Sequence, residues 1–140
     1  MNTRELTSPS DDARALDLHL PATPKVAALV RRALSYLELS GEQLEVAQLL
    51  ASELVTNSIR HSGLEPADEV RVRARRLGER LRVDVFDRSK VELHPLAGSI
   101  RPAPGAQSGW GLYLVDRLAD RWGTSPGRYW FELEAEARSA

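Results

Sequence analysis

Two separated stretches of this sequence place polar residues where local patterning calls for apolar ones, and a third opens a helix on glycines. Glu53 and Asn57 lie four residues apart near the end of a long apolar helical pattern, so one stands a turn above the other. At about 100° per residue, Val46, Leu50 and Leu54 fall in one quadrant of that helix, and Glu53 and Asn57 fall beside or inside it. Left unpaired in a core, a carboxylate and an amide would cost roughly a few kcal/mol each. Something polar is therefore expected to meet them. Asp87 shares strand parity with Leu81, Val83 and Val85, which puts a carboxylate on the core side of a strand's end. Gly109-Trp110-Gly111-Leu112 opens a helix after a long aperiodic stretch.

Each feature alone has a plainer account. A helix can end in a polar turn, a strand can bend away from its parity, and glycines can begin helices for steric reasons. Together they suit a nucleotide. Asp87 would accept from an adenine amino group, and Asn57 would give an oxygen ligand to Mg²⁺. Glu53 would orient or deprotonate an attacking hydroxyl or water. Backbone N–H groups of Gly109 to Leu112 would hold phosphates at a helix start.

The surrounding pattern supplies the elements that must position these groups. Residues 1–13 are polar and read as a disordered lead-in, and the domain is expected over 14–134, with a tail at 135–140. Leu16, Leu18 and Leu20 alternate with Asp17 and His19 as in a half-buried strand, with His19 on the wet side. Lys25 to about Leu39 has the spacing of an amphipathic helix, with Arg31 and Arg32 on its solvent side. Ser40 and Gln43 form a capping box for the next helix, which runs to about His61 and stops at Ser62-Gly63. Val70 to Arg75 and Leu81 to Val85 form a hairpin turning at Gly78-Glu79, one face apolar and one charged, with Asp84 among the wet counter-charges. The stretch 88–108 holds Pro95, Pro102 and Pro104 without periodicity, and a loop of that length suits a lid. His94 falls in it with no assignable role. Leu112, Val115, Ala119 and Trp122 give the last helix its apolar face, and two strands joined by Pro126-Gly127 close the chain.

Composition narrows the function classes. A chain of 140 residues suits one domain. No apolar run approaches membrane-spanning length and no signal-peptide pattern occurs. Cysteine is absent, which removes disulfides and thiolate chemistry and fits a reducing cytoplasm. His19, His61 and His94 lack metal-ligand spacing. A net charge of −1 gives no global reason to expect nucleic acid or an anionic membrane as partner.

Three motifs carry a family resemblance. Glu53-Leu54-Val55-Thr56-Asn57-Ser58-Ile59-Arg60-His61 is similar to the N box of the histidine-kinase-type (GHKL, Bergerat-fold) ATPases. Val85-Phe86-Asp87-Arg88-Ser89 resembles their first glycine box, and Gly109-Trp110-Gly111-Leu112-Tyr113-Leu114-Val115 the second. The likeness runs over roughly Leu16 to Leu133 and is nearest to the small anti-sigma-factor serine kinases of bacteria. It implies an α+β two-layer sandwich: a mixed, largely antiparallel sheet with helices on one face. It implies Glu53 as catalytic base, Asn57 as Mg²⁺ ligand and Asp87 as adenine contact, with Arg60, His61, Ser89, Gly109, Trp110, Gly111 and Leu112 also around the ATP. It further implies a sigma factor and an antagonist protein as partners, and it allows a homodimer.

Two departures shape the alternatives. The family's Asp-x-Gly has Ser89 in place of glycine, and its Cβ narrows the space beside the adenine. The lid offers no Lys or Arg close to Gly109 to meet the γ-phosphate, Arg101 being its nearest candidate. The leading reading is an ATP- and Mg²⁺-dependent serine/threonine kinase that phosphorylates a small antagonist and silences a sigma factor. The runner-up is a sequestration module that binds nucleotide without turnover. A nucleic-acid binder using Arg71, Arg73 and Arg75 ranks third.

Overall fold

The computed structural model describes residues 15–61, 65, 68–87 and 111–135. Five strands form one sheet: β1 (Ala15–Pro21), β2 (Glu69–Leu77), β3 (Arg80–Phe86), β4 (Arg121–Ser125) and β5 (Arg128–Leu133), in the order β1-β2-β3-β5-β4. Every ladder among them is antiparallel, so the parallel component of the expected mixed sheet is not among the described strands. Three α-helices accompany the sheet: α1 (Val26–Leu34), α2 (Gly41–His61) and α3 (Gly111–Leu118).

Alternation decides which face is covered. Leu16, Leu18 and Leu20 of β1, Val70, Val72 and Ala74 of β2, Leu81, Val83 and Val85 of β3, and Tyr129, Phe131 and Leu133 of β5 all point to one side and are buried. Against them pack Val26, Val30 and Leu34 of α1, Ala47, Leu50, Ala51, Leu54 and Val55 of α2, and Val115 of α3. The result is the expected α+β sandwich of two layers.

Several local expectations needed revision. The helix expected over Lys25 to Leu39 is α-helical only to Leu34. It tightens into a 3₁₀ turn at Ser35–Leu37, and Glu38 takes a left-handed φ of 56°, which ends it and leaves Leu37 buried. The capping box is half made. Ser40 Oγ accepts the Gln43 N–H at 3.3 Å, but the Gln43 side chain crosses to donate to the carbonyls of Glu79 and Leu133, both at 3.2 Å. The amide thereby ties the start of α2 to the turn before β3 and to the last residue of β5. Trp122 does not extend the face of α3. The helix stops at Leu118, and Trp122 belongs to β4.

The opposite face of the sheet is a network of arginines, acids and aromatic rings. Arg71 forks onto Asp17 at 2.8 and 2.7 Å. Asp84, expected in water, is 4% exposed beneath Arg82 and Arg128. Burial pushes the Asp84 carboxyl up, but hydrogen bonds from Arg82 and Arg128 outweigh it and hold it below the usual value. Arg82 also reaches Glu132 at 3.0 Å and stacks 4.1 Å over the Trp130 ring. Of the arginines offered to a nucleic acid, Arg71 is taken by Asp17, while Arg75 Nε is buried without a hydrogen-bond partner among the described residues. No helix among the described residues is long and apolar enough to cross a membrane.

Candidate functional site

The site begins with the position of α2 along the sheet. Gln43, in its first turn, is tied to the carbonyls of Glu79 and Leu133, beside the start of β3 and at the end of β5. From there α2 runs over β3, touching β2 and β5 as well. At ~1.5 Å per residue, Asn57 and Ser58 stand about 21–23 Å along the helix. At ~3.3 Å per residue, Asp87 lies about 20 Å beyond Leu81. The last turns of α2 therefore reach the same end of the sandwich as Asp87.

Glu53 and Asn57 are half-buried there, next to the fully buried Leu54 and Ser58. What meets them is the first residue of α3. A Cβ added to the buried Gly111 would lie 3.1 Å from Asn57 Nδ2, 3.2 Å from Glu53 Oε1 and 3.4 Å from Asn57 Oδ1. Only a glycine lets the backbone at the start of α3 come this close without moving the carboxylate and the amide. Two motifs more than fifty residues apart in sequence thus share one contact. Leu112, the next residue, is half-buried and packs on the core.

Asp87 follows β3 and is half-buried. Its backbone N–H donates to the Gly127 carbonyl at 2.9 Å, and Gly127 takes a φ of 73° in the turn between β4 and β5. Tyr129, two residues further on, is paired in register with Val85 and is buried beside Asp87. Burial, and then the nearby Asp87 carboxylate, push the Tyr129 phenol up to about 12. Tyr129 was not anticipated. Its alternation with Phe131 and Leu133 is the signal that could have shown it facing the core, and the Val85 pairing that sets it near Asp87 is a tertiary fact.

Arg60 is exposed at the end of α2, and His61 closes the helix. Ser89, Gly109, Trp110 and the lid expected over 88–108 lie outside the described residues, as does the Ser62-Gly63 helix stop. The three motifs that can be followed, at Glu53/Asn57, Asp87 and Gly111/Leu112, come to one end of the molecule. Among the described residues no cluster of three His, Cys, Asp or Glu side chains could hold a metal by itself. The oxygen donors of Asn57 and Glu53 suit a hard cation that keeps most of its waters and is shared with phosphates.

Residues 19–129 match the family of histidine kinase-like ATPase domains, and the chain belongs to that family. It is similar to the serine-protein kinase RsbW of Bacillus subtilis (strain 168), with 27% identity over 123 residues, 79% of this chain and 77% of that protein. Among solved structures it is similar to the RsbU and RsbW domains of Rv1364c from Mycobacterium tuberculosis, at a TM-score of 0.52 and 21% identity. That match covers 85% of this chain but only 32% of the other, so it speaks for the fold alone.

Proposed function

We propose that the chain binds Mg-ATP and passes the γ-phosphoryl group to a serine or threonine of a small antagonist protein, and that it holds a sigma factor when the antagonist is not engaged. The observation that carries this reading is the contact of Gly111 with Glu53 and Asn57. It joins a carboxylate, an amide oxygen and the start of a helix, the three groups that phosphoryl transfer to a hydroxyl needs. The similarity to a serine-protein kinase supports the choice of acceptor.

In this reading Asp87 accepts from the adenine amino group. Backbone N–H groups at the start of α3 meet phosphate oxygens, helped by the helix dipole. Asn57 Oδ1 would hold Mg²⁺, which would supply positive charge to offset that of the phosphates. Glu53 takes the proton of the incoming hydroxyl as its oxygen bonds to the γ-phosphorus and the bond to the β–γ bridging oxygen breaks, releasing ADP. Residues 88–108 act as the lid, within a domain over 14–134.

Ser89, in the place of the family's glycine, favours the second reading, a sequestration module that binds nucleotide without turnover. Calorimetric titration of Mg-ATP and phosphate transfer from labelled ATP to candidate antagonists separate the two. The kinase reading expects binding that weakens about tenfold or more in Asn57→Ala. It also expects transfer that falls roughly 10²–10⁴-fold in Glu53→Ala. Equal transfer by Glu53→Ala and the parent overturns Glu53 as the base. Tight ATP binding with no transfer to any antagonist selects the module.

A further inference from the structure

The open face of the sheet is built in cross-strand rows, and one row is out of balance. Register places Ala15, Arg75, Arg82, Glu132 and Arg121 side by side across β1, β2, β3, β5 and β4. Arg75 thus stands directly opposite Arg82, a like-charge pair that weakens the ladder where an acid would strengthen it. Arg82 has its acids: Glu132 and Asp84 both accept from it at 3.0 Å. Glu132 also faces Arg80 and Arg121, each at 3.7 Å. Asp84 is shared with Arg128, and Asp17 is held by Arg71. Arg75 has no such neighbour. Its Nε is buried without a hydrogen-bond partner, and no acid among the described residues pairs with it. A buried donor with no acceptor costs stability, and the facing arginine adds to that cost.

Arg71 shows what is missing. Its Nε and Nη2 grip the two oxygens of Asp17 at 2.8 and 2.7 Å. Arg73 and Arg75 take the next two positions of the same parity on β2. Arg73 is exposed and lies opposite Asp17, whose carboxylate Arg71 already holds. The next residue of that parity on β1 is Ala15, opposite Arg75 and diagonal to Arg73. Two arginines in a row therefore meet an alanine where an acid would serve them.

We infer that Arg73 and Arg75 receive the carboxylates of an acidic polypeptide partner, an extended segment laid over the open face beside Ala15. A carboxylate takes Nε and one Nη of a guanidinium at once, as Asp17 does on Arg71. Alternate side chains of an extended segment recur at about 6.6 Å, the spacing of Arg73 and Arg75 along their own strand. A nucleic acid fits this face less well. Asp17, Asp84 and Glu132 lie among its arginines and would repel a continuous phosphate backbone, whereas separate carboxylates can sit between them. The surface is on the side of the sheet away from α2 and α3, so the inference does not depend on the ATP reading.

Calorimetric titration of the full chain with a Glu-Gly repeat peptide, its Gln-Gly counterpart and oligo-dT tests this. The glutamate peptide is expected to bind, more weakly as salt rises, and the glutamine peptide is not. Arg75→Gln is expected to weaken the glutamate peptide about fivefold or more. The same variant is expected to melt at or above the parent's temperature, because the like-charge opposition has gone, and to bind Mg-ATP as the parent does. Arg71→Gln gives the contrast: it strands Asp17, so its melting temperature should fall while its peptide affinity changes less than that of Arg75→Gln. Equal binding of both peptides, or an unaltered glutamate-peptide affinity in Arg75→Gln, overturns the inference. Oligo-dT binding tighter than the glutamate peptide gives the face to nucleic acid and overturns it as well. So does a dimer in sedimentation that Arg75→Gln splits, which gives the face to a second copy of the chain.

Discussion

Gly111 and Asn57 touch across the junction of α3 and α2, with room for a hydrogen but not for a relaxed methyl group: a Cβ on Gly111 would sit 3.1 Å from Asn57 Nδ2. The contact sets how near the start of α3 comes to the Glu53–Asn57 pair. It is therefore where a small change should separate binding from folding.

Gly111→Ala is the first prediction. Alanine improves helix propensity by up to about 1 kcal/mol, which offsets the crowding, so the melting temperature should move little. Asn57 and Glu53 must shift by a few tenths of an ångström to admit the methyl. Mg-ATP affinity is then expected to fall about tenfold. Calorimetry and thermal melts on the same preparation give both numbers, and an unaltered affinity would show that the glycine is there only for packing.

Gly123 faces a different constraint. A Cβ there would lie 2.7 Å from Trp130 Nε1 and 2.9 Å from Cε2 and Cζ2, inside any permitted contact with an indole ring. Gly123→Ala must displace Trp130, and with it the Arg82 guanidinium stacked 4.1 Å over that ring. Overpacking of this kind costs about 1–3 kcal/mol. Denaturant midpoints should drop and the tryptophan emission should shift. A variant with the parent's midpoint and spectrum would mean that the ring has free space elsewhere.

Much of this architecture was legible in the sequence because alternation and helical spacing are local. Leu16/Leu18/Leu20 and Leu81/Val83/Val85 declared both strand and buried face, and the polar intrusions at Glu53, Asn57 and Asp87 pointed to a site. Gly111 beside Asn57 was readable only through the family motif, because spacing within one helix says nothing of another helix's approach. Asp84 was misjudged for a related reason. Strand parity put it on the outer face, and it is there, but Arg82 and Arg128 from two strands fold over it. The long side chains of neighbours, and not the strand's own pattern, decide its burial. The helix over Lys25 to Leu39 was overextended because Leu37 keeps the period while Glu38 leaves helical φ.

Asp84 gives a prediction in acid. Its carboxyl is held below the ordinary value by Arg82 and Arg128 against the opposing effect of burial, and Asp17 is held low by its bond to Arg71. A depressed folded-state value means stability that is fully present above the unfolded value of 3.8 and is lost as pH falls through the folded one. Asp84→Asn should therefore destabilise at neutral pH by about 1.5–3 kcal/mol, at the lower end because Arg128 remains partly in water. Its unfolding free energy should also decline less steeply than the parent's below about pH 4. Parallel acid limbs for parent and variant would remove Asp84 from the account.

Tyr129 works in the opposite direction, at alkaline pH. Its phenol rises from 10.0 to about 12, through burial first and the Asp87 carboxylate second. A raised folded-state value means stability that is complete below pH 10 and is lost as pH climbs from 10 toward about 12, because the unfolded chain gives up this proton first. The loss over that window should be on the order of 2 kcal/mol. Tyr129→Phe should flatten the limb, whereas Asp87→Asn, which removes the charge and keeps the burial, should move the phenol only part of the way back. Ultraviolet titration of phenolate in the parent and both variants, alongside denaturant midpoints at each pH, tests the coupling. If Asp87→Asn leaves the late phenolate step unmoved, the two side chains do not face one another, and Asp87 is not turned toward the core end where the base is assigned.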